Sequence, residues 1–473
     1  MKILLLNPPR RDNIVMVKEG RCMQREGAWG YVMSPVTMVT IATMLKEDGH
    51  EVKVIDAGVD ANNFNKLISI INSFAPEIVF INTSTTTIED DMFSSKFVKT
   101  NCPSVKITVL FGIHVSVLYE DVLKSENLID FCIIGEPEIT IRELVIALKN
   151  NSSVKNVNGL AFLENGKVIK TEDRGFIKNL DELPIPDWSI VNTNNYRLPF
   201  SGEKFLLVNT NRGCPYRCTF CNAYVYYGRI PRHRSVDHII KELKNDVEKF
   251  KVTNFMIWTE EFILDKPFVK DLCKAIIKEN LKIKWVCNSR VDAVDEDILK
   301  TIKEAGCWNI AYGIESGNQE ILDAIKKQIT LEQIRRAVLL AKKANLKVTG
   351  HVIIGFPEDT YETIKKTEKF VNSLDLDFVQ YYCAMPYPGT ELYEKAKQNG
   401  WINSNDWKLW EHNFSVLDYP HLKAKDIMRL RTSLFIRYYL QPKIIIRTLK
   451  SFIKKPKHIP IFIKNLKEFF KWI

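Results

Sequence analysis

Twice along this chain, short β-branched runs alternate with amphipathic helical patterns, five times before residue 149 and again between residues 204 and 385. Each strand–helix–strand crossover makes its two strands parallel, so each series must build a parallel sheet covered by helices. In the first series the strand runs are 2–7, 51–56, 77–82, 106–111 and 130–134. Ser34-Pro35 has the order of a helix start, and Gly49 stands where a helix ends. Five such units predict an open, doubly wound sheet over residues 1–149, with ligands at the carboxyl ends of its strands. Two of those ends carry unusual residues: Phe111-Gly112-Ile113-His114-Val115-Ser116 and Gly135-Glu136-Pro137-Glu138.

Residues 150–196 change character. A hairpin signal, Glu164-Asn165-Gly166-Lys167, precedes the proline-punctuated stretch Leu183-Pro184-Ile185-Pro186, which reads as a connector. The second series then supplies strand runs at 205–209, 254–258, 282–288, 308–314, 347–354 and 377–384. Its helices are punctuated too, by the capping box Thr330…Gln333 and by Gly306. Six βα units predict a partial, TIM-like (β/α)6 barrel over 197–400, with its chemistry on the rim formed by the strands' C-terminal ends.

Composition sets the class. With 473 residues, 45% hydrophobic and 26% charged, the chain has material for two or three cored domains and is neither disordered nor a small disulfide scaffold. No uninterrupted apolar run approaches the roughly 20 residues needed to cross a bilayer. The first residues lack the apolar core and cleavage site of a secretory signal, so a cytoplasmic protein is expected.

Three of the ten cysteines are bunched in Gly213-Cys214-Pro215-Tyr216-Arg217-Cys218-Thr219-Phe220-Cys221, a C-x3-C-x2-C spacing directly after the first strand of the second series. Structural zinc takes four protein ligands, and no fourth cysteine completes the set, although His233 and His238 follow. Three soft thiolates on a tight loop suit a [4Fe–4S] cluster with one iron left open. Other polar groups end strands on the same rim: Trp258-Thr259-Glu260-Glu261, Asn288-Ser289-Arg290, Gly313-Ile314-Glu315-Ser316-Gly317 and Gly355-Phe356-Pro357-Glu358. Solvated loops and structural ion pairs are the plainer readings of these acids and of Arg290. Their convergence on one rim points to a site.

These residues resemble the radical S-adenosylmethionine (SAM) superfamily over nearly all of 200–400. The resemblance implies that Cys214, Cys218 and Cys221 hold the cluster, whose open iron chelates SAM, and that an electron cleaves SAM to a 5′-deoxyadenosyl radical. It places a paired-acid motif at Glu260-Glu261, where the family more often has two aspartates. SAM needs carboxylates for its ammonium and sulfonium, a cation for its carboxylate and a close backbone approach for its adenine. Glu260, Arg290, Glu315, Ser316 and Gly355 are the residues expected to meet them.

The preceding doubly wound domain resembles that of the cobalamin-binding class of the superfamily. Gly112-Ile113-His114-Val115-Ser116 and Gly135-Glu136-Pro137-Glu138 are similar to its Gly-Gly-x-His-x-Thr and Gly-Glu-x-Glu segments. The resemblance makes Gly112, His114, Gly135 and Glu136 cofactor contacts. The Asp-x-His-x-x-Gly motif that gives cobalt an axial histidine elsewhere is absent, so His114 is expected beside the corrin and not on its metal. A dinucleotide is the rival ligand of such a sheet, but Asn7-Pro8-Pro9 stands where G-x-G-x-x-G would. The loop 16–31, rich in Gly and Arg, is placed to reach substrate or corrin.

The implied activity is cobalamin-dependent methylation of an unactivated carbon in a small or lipid-like substrate, with radical cyclisation or C–C bond formation as the alternative. A reducing donor such as ferredoxin or flavodoxin is the implied partner. The net charge of +10 resides in the tail: residues 421–473 carry fourteen Lys and Arg against Asp426 and Glu468, leaving about −2 for the rest. This 401–473 region reads as basic helices, including a last segment 461–473, and is expected either to pack on the barrel or to touch the inner face of a membrane. Nucleic acid is disfavoured, because no strand-rich RNA-binding segment follows the barrel.

Overall fold

The computed structural model describes all residues except 20–23, 26–31, 62, 126–127, 199–200, 455–459 and 461–473. The segment 461–473 and most of the loop 16–31 therefore lie outside the described residues. Two compact units emerge. The first takes the described residues of 1–26, 32–196 and 222–233, the second those of 197–221 and 234–473.

In the first unit, β1 (Lys2–Asn7), β2 (Glu51–Asp56), β3 (Ile78–Asn82), β4 (Ile107–Phe111) and β5 (Phe131–Ile133) are parallel, in the order β2-β1-β3-β4-β5. Helices cover both faces of such a sheet, so its central strands are apolar throughout, and Ile3 to Leu6 and Ile78 to Ile81 are fully buried. The direction of winding reverses between β1 and β3, which places the crevice of a doubly wound sheet beyond Asn7 and Asn82. The helix Val36–Glu47 begins without a side-chain cap, on Pro35 and not on Ser34.

Residues 150–196 are not a free connector. The hairpin β6 (Leu160–Glu164) and β7 (Lys167–Lys170) adds two antiparallel strands beside β5, with Cys132 opposite Ala161. The proline-rich stretch cannot form a ladder, yet it packs through short 3-10 turns capped by Asn179, Asp187 and Asn192. Trp188 and Tyr196 are fully buried, and the Tyr196 hydroxyl donates to Asp56 at 3.2 Å.

The second unit contains β8 (Phe205–Val208), β9 (Asn254–Ile257), β10 (Lys284–Ser289), β11 (Cys307–Glu315), β12 (Lys347–Ile354) and β13 (Phe378–Cys383), all parallel and paired in chain order. Sequential parallel strands with right-handed crossovers keep every helix on one side, which is the arrangement of an opened (β/α)6 barrel. The helices start as the sequence implies: Thr330 and Gln333 cap each other, and Gly306 takes φ +99° after the helix Glu296–Glu304.

The tail begins as part of this unit. The helix Ala424–Tyr439 packs along β13, with Arg431 buried and its Nε donating to the Tyr381 carbonyl at 3.0 Å. The next helix, Pro442–Lys454, uses Arg447 against the carboxylate of Asp377 at 3.3 Å and leaves Ile446, Leu449 and Ile453 exposed. Among the described residues no helix is long and apolar enough to cross a membrane.

Candidate functional site

The cysteine loop leaves β8 and is pinned at three points. Gly213, at φ +90°, donates its N–H to Glu260 Oε2 at 3.2 Å. Tyr216 lies under the guanidinium of Arg290, 3.6 Å from the ring centre. Thr219 donates its N–H to the Ile325 carbonyl at 3.0 Å and accepts one from Leu392 at 2.9 Å. Cys214, Cys218 and Cys221 are partly exposed, whereas Cys102, Cys132, Cys273, Cys287, Cys307 and Cys383 are buried. Burial raises the Cys218 thiol, and the nearby Lys327 ammonium draws it back.

Glu260 is thus occupied in positioning the cysteine loop. Its neighbour Glu261 is not on a solvated loop: it is buried, and its carboxylate accepts from Ser289 Oγ at 2.9 Å and from the Ile263 N–H at 3.2 Å. Burial pushes this carboxyl up to about 7.

Arg290 is buried and heavily engaged. Its Nε and one terminal nitrogen both reach Asp292 at 2.9 Å, and that terminal nitrogen also donates to the Lys327 carbonyl at 2.8 Å. Glu315 closes β11 at φ +59°, where a register shift interrupts the pairing with β12. Its Oε1 holds Lys327 Nζ at 2.7 Å, with both side chains buried. Burial alone would lower the Lys327 ammonium, but Glu315 and Cys218 more than offset it and hold it above the ordinary lysine value.

Two residues expected at the cofactor make packing contacts within the protein. Ser316 is buried against Thr367 Oγ1 at 3.1 Å and accepts the Asn318 N–H. Gly355 is at φ +88°, and the space a side chain would occupy there is filled by Ile427, 2.7 Å away. The helix Ala424–Tyr439 by itself leaves no room for a side chain there. Asp359 ties this turn down, accepting the N–H groups of Gly355 and Phe356 at 2.8 and 3.1 Å.

In the first unit the four residues expected at the corrinoid lie at the carboxyl ends of β4 and β5. Gly112, at φ +130°, packs its α-carbon so closely on the Thr83 carbonyl that a Cβ would lie 2.3 Å from it. His114 is buried in the helix Ile113–Leu123, with Nδ1 3.3 Å from Thr85 Oγ1, and burial pushes it down to about 3, so the ring is neutral. Gly135, at φ +79°, borders open space, with nothing within 4 Å of where a Cβ would stand. Glu136 turns inward, accepting two N–H groups of Arg232 at 2.9 Å and the Ile177 N–H at 2.8 Å.

Sequence reasoning missed Lys327, which follows Lys326 and looks like half of a solvated pair. It also passed over Thr83 to Thr87, whose side chains are buried at the end of β3. Five consecutive hydroxyl residues after a central strand were a visible signal.

Do these residues fit the groups implied? The three accessible thiols on a pinned loop, with a buried cation beside Cys218, are a donor set suited to an iron–sulfur cluster. Among the described residues no three His, Cys, Asp or Glu are gathered to hold a single ion. The bare backbone at Gly135, with the glycine turn at Gly112 and the hydroxyls of β3 beside it, suits a broad, flat group laid on strand ends.

An opened (β/α)6 unit with three cysteines after its first strand, joined to a doubly wound unit, defines a radical SAM enzyme with a B12-type domain. The comparisons agree: the radical SAM superfamily profile matches residues 208–371, and the B12 binding domain profile matches 27–145. An uncharacterized methyltransferase of Pyrococcus horikoshii is 34% identical over 94% of both chains. An anaerobic magnesium-protoporphyrin IX monomethyl ester cyclase of Cereibacter sphaeroides is 28% identical over 85% of this chain and 65% of its own. The radical SAM methyltransferase TsrM of Kitasatospora setae shares the fold, with a TM-score of 0.69 at 16% identity over 85% of this chain and 79% of the other. The chain belongs to the cobalamin-dependent radical SAM methyltransferase family.

Proposed function

We propose that this protein methylates an unactivated carbon of a small molecule by radical chemistry. What supports the reading most is the rim of the second unit, where the accessible Cys214, Cys218 and Cys221 stand with the buried Glu315–Lys327 pair. When bound, the cluster with SAM supplies a hydrogen-abstracting radical, and the corrinoid supplies the methyl group. The chain's own residues orient and enclose. Glu260 and Arg290 set the cysteine loop from two sides. Glu261 keeps a carboxyl buried below the rim. In the first unit Gly112, His114 and Gly135 line the corrinoid's seat, and His114, neutral and turned to Thr85, shapes that seat without binding cobalt.

Ring formation without methyl transfer is the second reading, favoured by the relative named as a cyclase. Anaerobic reconstitution with iron, sulfide and hydroxocobalamin decides the cofactors. About four irons, one corrinoid and reductant-dependent release of 5′-deoxyadenosine are expected; absence of corrinoid removes the methyl-transfer reading. A low-potential ferredoxin or flavodoxin is the donor class such a cluster needs.

For the tail, the apolar face of Pro442–Lys454 supports contact with a membrane surface and, with it, a lipid-like substrate. Flotation with anionic liposomes tests this. Equal behaviour of the full chain and a variant with Ile446, Leu449 and Ile453 changed to Ser would refute it.

A further inference from the structure

We propose that His351, with Gln380, Tyr382 and His412 beside it, forms the substrate-recognition wall of the second unit, and that the part of the substrate it takes is a flat unsaturated ring bearing an O–H or N–H donor. The inference deepens the methylation reading above and rests on it.

Strand register brings these side chains together. On β12 and β13 the fully buried Val348, Val352, Val379, Tyr381 and Cys383 alternate with the half-buried Thr349, His351, Gln380 and Tyr382. Alternation sends the second set to the face that the helices leave open. There Gly313, His351 and Gln380 stand in one row across β11, β12 and β13, and Tyr382 lies two residues nearer the rim, opposite Ile353. The row runs on into the site already described, because a Cβ on Gly313 would stand 2.6 Å from Glu315 Oε1 and 2.7 Å from Lys327 Nζ. The Glu315 carboxylate also acts on His412, opposing the burial that brings this imidazole down to about 4 and keeps it neutral.

Hydrogen bonding gives His351 a direction. The Gln380 carbonyl oxygen accepts from the Tyr382 hydroxyl, so that hydroxyl's oxygen, 3.2 Å from His351 Nδ1, accepts in turn from the imidazole. An uncharged imidazole that donates from Nδ1 carries its lone pair on Nε2. His351 therefore meets a ligand as an acceptor, and Tyr382 and Gln380 hold it in that tautomer.

The neighbouring rings give the wall its shape. His351 and Tyr382 are stacked, with centres 5.8 Å apart and planes 20° apart. Tyr382 then meets His412 at 5.0 Å, and His412 meets Tyr387 at 5.6 Å. These side chains and Gln380 offer no formal charge, so a carboxylate or ammonium lying on them would be desolvated without a partner. An unsaturated ring gains from their faces. A donor on the edge of that ring satisfies Nε2, whereas a ring without one leaves the nitrogen dehydrated and unmatched.

The test is ligand-observed fluorine NMR titration of the full-length, anaerobically reconstituted protein in the presence of SAM. Three probes separate the two features: para-fluorophenol has ring and donor, para-fluoroanisole the ring alone, and fluorocyclohexanol the donor alone. Wild type is compared with His351→Phe, which keeps a flat ring and removes the acceptor, and with Tyr382→Phe, which keeps the stack and frees the tautomer. Iron is counted in every sample.

Wild type should bind para-fluorophenol on the order of 5- to 10-fold more tightly than either other probe. His351→Phe should keep its iron and its affinity for para-fluoroanisole but lose the preference for the phenol. Tyr382→Phe should weaken that preference at unchanged affinity for para-fluoroanisole. Iron-replete wild type that binds no probe, or binds phenol and anisole equally, overturns the proposal, as does a preference that survives in His351→Phe. Should His351→Phe lose its iron, Tyr382→Phe decides, and an undiminished preference there overturns the proposal as well. Wild type that takes up no iron overturns the radical SAM reading itself, a distinct result.

Discussion

Arg290, at the end of the third barrel strand, lays its guanidinium 3.6 Å above the ring of Tyr216, midway between Cys214 and Cys218. The contact couples the barrel wall to the loop that carries the thiols, through a planar cation that also accepts no substitute for its fork of donors. Tyr216→Leu should therefore speed release of cluster iron to a chelator and cost about 1–2 kcal/mol of stability, whereas Tyr216→Phe should behave as wild type. Arg290→Lys should release iron as fast as Tyr216→Leu; unchanged release would show that the stack does not hold the loop.

The cysteines divide sharply by exposure. Changing any one of Cys214, Cys218 or Cys221 to Ala should abolish bound iron and the visible absorbance of the reconstituted protein. Cys273→Ala, a buried site on the helix Lys266–Lys278, should leave the iron count unchanged and lower only the melting temperature.

Gly355→Ala adds a Cβ at φ +88° and 2.7 Å from Ile427. Two penalties combine there, left-handed backbone and overpacking, for an expected loss of about 2–4 kcal/mol in urea unfolding. Ile427→Ala in the same chain should relieve the second penalty but not the first, giving a coupling energy of about 1 kcal/mol or more in a double-mutant cycle. Simple additivity would contradict this packing.

Glu136→Gln leaves Arg232 buried without its counter-charge, and breaking a buried pair from one side costs about 3–5 kcal/mol. Denaturant unfolding of the first unit should register it. A stability equal to wild type would return Glu136 to the role of a cofactor contact.

His114 carries a pH signature. Burial lowers it from 6.5 to about 3, so the folded state holds it neutral while the unfolded chain binds a proton below 6.5. Its contribution is complete above pH 6.5 and is lost as pH falls from 6.5 toward 3, with a slope of at most about 1.4 kcal/mol per pH unit. Glu261, raised to about 7, acts in the opposite sense, since its neutral form is favoured in the fold and stability falls as pH rises from 4.5 toward 7. The difference between His114→Gln and wild type isolates the histidine: the variant should lose less stability between pH 6.5 and 4.5, and parallel curves would contradict its burial.

The strands were legible because they obey one local rule. Apolar runs at a β/α rhythm need no distant partner to be recognised, and β1, β2 and β12 lie where the sequence places them. The cysteine loop was legible because its spacing is itself the chemistry. Lys327 was not, since its burial goes with the space left at Gly313 and the carboxylate of Glu315, neither of which is local to it. The contact of Gly355 with Ile427 was hidden for the same reason: a glycine in sequence says that space is needed, not which group fills it. The segment 150–196 misled differently, because prolines that bar a ladder do not bar burial, as Trp188 demonstrates.

The short stretch Asn222–His233, directly after Cys221, belongs to the first unit, where Arg232 clasps Glu136, before the chain returns to the second at Arg234. The two units are therefore not separable as beads on a string. A fragment cut at Tyr196 would carry off twelve residues whose partners it had discarded, beginning one residue beyond Cys221. Such a fragment would leave Arg232 without Glu136, so the barrel half alone would begin from a frayed edge beside Cys221.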